Sequence, residues 1–220
     1  MAGSIVQSSE IITLLGAGPV RDEVLDESLN WAPRIVAADG GARKALAVGT
    51  MPQAVIGDFD SLDATTKGQL SPDQLIAADD QNLTDFDKAL KVIQSPLILA
   101  VGFTGGRLDH ELAVYSALIQ HRGNPVIVLG DIDIAFHLTR PLSLTLPVET
   151  RVSLFPMASV RCTTNGLRWP TNHLQFEPWG RVGTSNETVS PEITMTPSGP
   201  GMLVILPRSS LAHVIPVLIG

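Results

Sequence analysis

In Ala54-Val55-Ile56-Gly57-Asp58-Phe59-Asp60-Ser61 a short apolar run stops at a glycine, and a turn carrying two aspartates follows. An uninterrupted apolar run of that length is the signature of a strand buried on both faces, the kind found in parallel sheets. In open α/β sheets ligands bind outside the carboxyl ends of such strands. Asp58 and Asp60, two residues apart, can therefore both face a crevice. Their oxygens are hard ligands suited to Mg²⁺, which takes one or two carboxylates and fills its other positions with water and substrate phosphates. An Asx-turn pair explains the same spacing without any metal.

Three further segments bear on that choice. Asp39-Gly40-Gly41 follows the apolar Ile35-Val36-Ala37-Ala38 and precedes a helical pattern. Gly40 and Gly41 let the backbone approach a ligand and the helix start favours anions, although Asp39 also reads as a helix cap. Asp79-Asp80-Gln81-Asn82-Leu83-Thr84-Asp85 opens another helix, with Thr84 or Asp85 as its cap. Gly102-Phe103-Thr104-Gly105-Gly106-Arg107-Leu108-Asp109-His110 lies between the strand-like Leu97-Ile98-Leu99-Ala100-Val101 and the helical Glu111 to Gln120. Strand, glycine-rich loop and helix in that order cradle phosphates. The Gly-Lys-Ser/Thr ending of a Walker motif and the spacing of a dinucleotide fingerprint are both missing. Arg107 offers a bidentate clamp on phosphate, Asp109 a metal ligand or a group that positions a nucleophile, and His110 a nucleotide contact or a cap.

Four strand-end motifs, each with an aspartate, would crowd carboxylates at one sheet edge. Such charges repel one another unless a cation offsets them. The chemistry this implies is phosphoryl-type transfer, in which positioning and charge neutralisation carry most of the catalysis. One carboxylate of Asp58 and Asp60 would bind the metal, and one of Asp85 and Asp109 would orient or deprotonate an attacking hydroxyl.

The surrounding pattern frames these motifs. Strands are expected at Ile11 to Leu15, Arg34 to Ala38, Ala54 to Ile56, Leu97 to Val101 and Val126 to Leu129. Helices are expected near Arg21 to Leu29, Ala42 to Val48, Asp85 to Ile93 and Asp109 to Gln120. This alternation predicts an α/β N-terminal domain with a mostly parallel sheet. After Thr139 prolines such as Pro141, Pro147, Pro156, Pro170 and Pro178 punctuate short β-rich segments, among them Arg151 to Phe155, Glu192 to Thr196 and Met202 to Leu206. That half reads as antiparallel β, an all-β sandwich. The boundary is placed near Thr139 to Ser143.

The 220 residues suffice for a sizeable core, and 44% hydrophobic against 17% charged residues predicts a packed fold. A net charge of −7 disfavours nucleic acid or an anionic membrane as the main partner. Cys162 is the only cysteine, so no internal disulfide is possible and a buried, inert thiol is expected. Met1 to Glu10 lacks the basic and apolar regions of a leader, and no apolar run approaches the roughly 20 residues of a membrane span. A cytoplasmic protein is expected.

At these motifs the chain resembles the thiamine pyrophosphokinase family, through Ala38-Asp39-Gly40-Gly41-Ala42, Gly57 to Ser61, Asp80-Gln81 with Thr84-Asp85-Phe86, and Gly105 to His110. Thr164-Asn165-Gly166-Leu167-Arg168-Trp169 and Thr184-Ser185-Asn186-Glu187 extend the resemblance more loosely into the second half. It implies an α/β catalytic domain over residues 1–139 and a β-sandwich over 140–220 that binds thiamine and dimerises, with substrate sites made between the subunits of a homodimer. The implied reaction is attack of the thiamine hydroxyl on the β-phosphorus of ATP, with AMP leaving and thiamine diphosphate formed. Carried over by motif, Asp39, Asp58, Asp60, Asp85 and Asp109 surround Mg²⁺ and the phosphates, with Asp39, Asp58 and Asp60 as metal ligands. Thr104, Gly105, Gly106, Arg107 and His110 lie near the nucleotide. Gln81 and Asp85, with Ser185 and Asn186 from the partner subunit, face thiamine. The sequence departs from the family at Arg43, where members often have Asn, and no aromatic residue beyond Trp169 and Trp179 offers itself as a platform for the thiamine rings. Two other readings stay open: a pyrophosphokinase acting on another hydroxyalkyl heterocycle such as a hydroxymethylpterin, and a non-catalytic nucleotide- or thiamine-binding module.

Overall fold

The apolar runs of the first half become parallel strands buried on both faces, while in the second half one set of strands alternates between buried and exposed positions. The computed structural model describes residues 6–78, 80 and 82–220, and the chain divides into two compact units, Met1–Asp131 and Ile132–Gly220. In the first unit the order is β1 (Val6–Gln7), β2 (Ile12–Leu15), α1 (Asp22–Trp31), β3 (Arg34–Ala38), α2 (Gly41–Ala47), β4 (Ala54–Gly57), α3 (Ala64–Gly68), β5 (Leu75–Ala77), α4 (Asp85–Val92), β6 (Ile93–Gln94), β7 (Ile98–Val101), α5 (Leu108–Gln120) and β8 (Val126–Leu129).

The main sheet of this unit runs β8-β7-β2-β3-β4-β5, and every pairing in it is parallel. A separate short parallel pair joins β1 to β6. All four residues of β2, β4, β7 and β8 are buried, so each strand is covered on both faces. Thr13 is the polar exception within β2. Its hydroxyl donates to the Ala32 carbonyl (2.7 Å) and shares a hydrogen bond with Ser28 Oγ (2.8 Å), tying α1 to the sheet. The edge strand β5 is only half-buried, which explains why its three residues carry no strand signal.

The second unit holds β9 (Asp133–Leu138), β10 (Leu142–Thr145), β11 (Arg151–Pro156), β12 (Val160–Asn165), β13 (Gln175–Phe176), β14 (Gly183–Glu187), β15 (Glu192–Pro197), β16 (Met202–Pro207) and α6 (Leu211–Ile219). Its strands form two antiparallel sets, β14-β11-β16-β9 and β10-β15-β12-β13. Strict alternation marks the second set: Val160, Cys162 and Thr164 are buried, and Arg161, Thr163 and Asn165 are exposed. Burial pushes the Cys162 thiol up to about 11, as expected of an inert cysteine. The expected antiparallel sandwich is therefore present, with one addition. Helix α6 carries Pro216 in its interior, and a proline there masks a helix from a reading by pattern. Among the described residues no helix is long and apolar enough to cross a membrane.

Candidate active site

Strand order in the parallel sheet reverses between β2 and β7. Such a reversal opens a crevice at the carboxyl edge. Here the crevice is shaped by two glycine loops in contact. Gly18 N–H donates to the Gly102 carbonyl (2.9 Å) and Gly16 N–H to that of Val101 (2.8 Å). A Cβ on either Gly16 or Gly18 would lie 2.6 Å from the Gly102 oxygen, and Gly102 itself has a φ of +77°. Only glycine permits that approach. The resulting cleft, of about 500 Å³, is walled by Ala17, Gly18, Pro19, Thr104, Gly106, Arg107 and His110 on the loop side and by Asp58, Thr84, Asp85 and Lys88 on the other. Phe86 and Phe103, both among its lining residues, stack at 4.8 Å with their rings tilted by 58°.

Asp58 reaches the cleft through a strained turn. Phe59 adopts a left-handed backbone with a φ of 65°, a costly conformation for an aromatic residue. Its ring packs against the core around Ala37, Val55, Leu62 and Leu70, which holds the turn in place. The Asp60 N–H then donates to Asp58 Oδ1 (3.3 Å). That hydrogen bond, followed by the charge of Lys88, holds the Asp58 carboxyl below its ordinary value.

Asp85 comes from a different element, the first turn of α4. Thr84 caps that helix in a reciprocal box: its hydroxyl accepts from the Asp87 N–H (3.2 Å), and Asp87 Oδ2 accepts from the Thr84 N–H (3.3 Å). With the cap position filled by Thr84, Asp85 is left to the cleft. Burial raises its pKa, and the charges of Asp39 and Asp58 add to that rise against the opposing pull of Lys88.

Lys88 is the residue that the sequence reading missed. Its side chain is 4% exposed, and Nζ donates to Asp58 Oδ2 (3.4 Å) and Asp85 Oδ1 (3.2 Å). Burial alone would lower its pKa, but the hydrogen bond and charge of Asp85, together with those of Asp58, outweigh it and the net shift is upward. The only sequence signal was the spacing of Asp85 and Lys88, three apart on one helix. The Gly16-Ala17-Gly18-Pro19 loop was also missed, although two glycines directly after a strand run announce a close backbone approach.

The other expected site residues fall into groups. Asp58, Asp85, Thr104, Gly106, Arg107 and His110 line the cleft. Asp39, Gly40, Gly41, Asp60, Gly105 and Asp109 flank it without lining it. Asp39 sits beside Gly57 with a φ of 40°. Gly41 answers to packing, since a Cβ there would stand 2.0 Å from the Leu15 oxygen. The Gly105 N–H is taken by Glu111 Oε2 (3.0 Å). Arg107 and Asp109 bind each other through two hydrogen bonds, of 3.1 and 2.6 Å. This pairing holds the Asp109 carboxyl at about 2. Gln81 lies outside the described residues. Ser185 and Asn186 stand on β14 in the second unit. There the Asn186 amide brackets the backbone of Trp169, accepting from its N–H (3.1 Å) and donating to its carbonyl (2.7 Å).

Whether the cleft suits a cation can be judged from its charges. Asp39 Oδ1 is buried and has no hydrogen-bond partner among the described residues. The charges of Asp39 and Asp58 both act on Asp85, and Lys88 stands between Asp58 and Asp85 to offset them. Among the described residues no three His, Cys, Asp or Glu side chains stand close enough to enclose an ion by themselves. A hard divalent ion that takes one or two carboxylates and completes its shell with water and phosphate oxygens fits this donor set.

Fold and site together define a class: an α/β unit with an acidic, glycine-lined cleft, followed by an antiparallel β-sandwich. A family model described as "Thiamin pyrophosphokinase, catalytic domain" matches residues 25–133, and one described as "Thiamin pyrophosphokinase, vitamin B1 binding domain" matches residues 142–198. The chain belongs to the thiamin pyrophosphokinase family.

Its relatives are distant in sequence. Thiamine pyrophosphokinase 1 of Oryza sativa subsp. japonica is 29% identical over 154 residues, which cover 61% of this chain and 58% of that protein. Thiamine pyrophosphokinase 1 of Arabidopsis thaliana is 26% identical over 192 residues, covering 72% of each. The match thus spans 58% of the length of the rice relative. Among solved structures, thiamin pyrophosphokinase from Candida albicans superposes with a TM-score of 0.75 at 16% identity and covers 92% of each chain. That from Geobacillus thermodenitrificans gives 0.73 at 23% identity, covering 90% of this chain and 96% of its own. Both likenesses concern the fold.

Proposed function

We propose that this protein is a thiamine pyrophosphokinase that transfers the diphosphate of ATP to the hydroxyl of thiamine in a Mg²⁺-dependent reaction. The hydroxyl oxygen attacks the β-phosphorus, the bond from that phosphorus to the oxygen it shares with the α-phosphorus breaks, and AMP leaves with that oxygen. Thiamine diphosphate and AMP are the products, and the hydroxyl proton is released. The observation that carries this reading is the pair Asp58 and Asp85, drawn from a strand end and a helix start onto one buried lysine in a glycine-lined cleft. Family membership and the match to a vitamin B1 binding domain favour thiamine over a hydroxymethylpterin as acceptor.

Within this reading the residues divide the work. When bound, Mg²⁺ neutralises charge on the phosphates, and Asp58 would hold it with help from Asp39 and Asp60. Asp85, whose basicity is raised by burial, takes the hydroxyl proton. Asp109, held at about 2 by Arg107, is a weaker base than Asp85 and is assigned to orient the guanidinium. Thr104, Gly105, Gly106, Arg107 and His110 would receive the nucleotide phosphates, with Gly40 and Gly41 supporting the backbone nearby. Gln81, and Ser185 and Asn186 of a homodimeric partner, are proposed to face thiamine. The same reading assigns catalysis to residues 1–139, thiamine binding and dimerisation to 140–220, and a cytoplasmic location.

Incubation with ATP, Mg²⁺ and thiamine should release AMP and thiamine diphosphate in equal amounts. AMP appearing only with a hydroxymethylpterin acceptor would overturn the assignment of thiamine. Tight binding of thiamine and ATP with no AMP at all would point to a non-catalytic module.

A further inference from the structure

We infer that Lys88, anchored on Asp85, is a built-in counter-ion that competes with a divalent cation for Asp58, so that the cation binds well only together with a polyphosphate. The inference rests on the proposed function for the divalent cation and for the identity of the anionic ligand. Lysine is almost never fully buried unless paired, and Lys88 is paired twice, at 3.4 Å to Asp58 and 3.2 Å to Asp85. The two carboxylates come from separate elements, so the ammonium also fixes the distance between them. Its side chain is 4% exposed, which leaves little water to take over if its partners turn away.

A divalent ion arriving alone must therefore share Asp58 with a resident positive charge a few ångströms away. At that distance, screened only by a partly buried site, repulsion between the cations is strong. A polyphosphate removes the conflict, because its oxygens can accept hydrogen bonds from the ammonium and also serve as ligands to the ion. Lys88 then moves its hydrogen bond from Asp58 to the phosphate and frees that carboxylate. It is in this sense a positioning residue that couples cation binding to nucleotide binding.

Mn²⁺ titrated into the protein and followed by the electron paramagnetic resonance of the free ion reads this coupling without any turnover. In the absence of nucleotide, Lys88→Met should bind Mn²⁺ roughly tenfold or more tightly than the wild type, since Asp58 loses its counter-ion. Lys88→Arg, which keeps the charge, should stay close to the wild type. With α,β-methylene-ATP present, the wild type should gain at least about tenfold in Mn²⁺ affinity and Lys88→Met much less. Circular dichroism reports whether each variant is folded, and Lys88→Gln serves if Lys88→Met is not. Equal Mn²⁺ affinity of the wild type and a folded, uncharged variant would overturn the inference. So would an arginine variant that behaves like the methionine one. Absence of AMP release from ATP and thiamine by the wild type would instead count against the proposed reaction and leave the Mn²⁺ comparison intact.

Discussion

Asp58 and Asp85 share a lysine yet are pushed in opposite directions. Asp58 is held low by the Asp60 N–H and then by Lys88, whereas Asp85 is raised by burial and by its acidic neighbours. Stability should follow with opposite signs. The contribution of Asp58 is present above its ordinary value of 3.8 and disappears as the pH falls through its lower folded value. That of Asp85 is present below 3.8 and is lost as the pH rises through its higher folded value. Thermal melts across the acid range should therefore show the deficit of Asp58→Asn shrinking below pH 3.8, and Asp85→Asn gaining on the wild type above it. Parallel curves for both variants would contradict the electrostatics described for the cleft.

At this scale much of the site was legible. Asp39, Asp58 and the Gly102 to Arg107 loop announced themselves because each follows an apolar strand run. Lys88 did not, because a lysine on a helix ordinarily lies in solvent. Its burial follows from the carboxylate of Asp58, which is 30 residues away in sequence. The bond between Arg107 and Asp109 was equally hidden, since each residue reads as a ligand in its own right.

Among the elements, α4 supplies two charged groups of the cleft, Asp85 and Lys88. Its capping box sets where the helix begins, and with it the placement of Asp85 and Lys88. Thr84→Ala removes one side of that box and should cost about 1 kcal/mol in urea unfolding. Turnover should fall further than stability alone explains, by roughly tenfold or more, because small displacements of reacting groups are expensive. A variant that loses stability but keeps full turnover would separate the cap from the site. The strands β2, β3, β4, β7 and β8 were visible in the sequence because burial on both faces demands continuous apolar runs. Strand β5 was not, being three residues long and half-exposed. Helix α6 was concealed by Pro216, a residue that normally ends a helix.

For the whole molecule, the architecture changes from parallel strands linked by helices to antiparallel strands already at β9, ahead of the change of texture after Thr139, because β9 is largely buried, like the strands before it. An excess of acidic over basic residues, −7 in all, accords with a cleft that gathers carboxylates and disfavours an electrostatic grip on nucleic acid. What pattern alone could not reveal is which group is transferred, because carboxylates, a glycine loop and a cation serve single-phosphate and diphosphate transfer alike. That distinction rests on the family. ATP labelled with ³²P at either the α or the β position, incubated with thiamine and Mg²⁺, tests it directly. The β label is expected in thiamine diphosphate and the α label in AMP; a β label recovered in ADP would contradict diphosphate transfer.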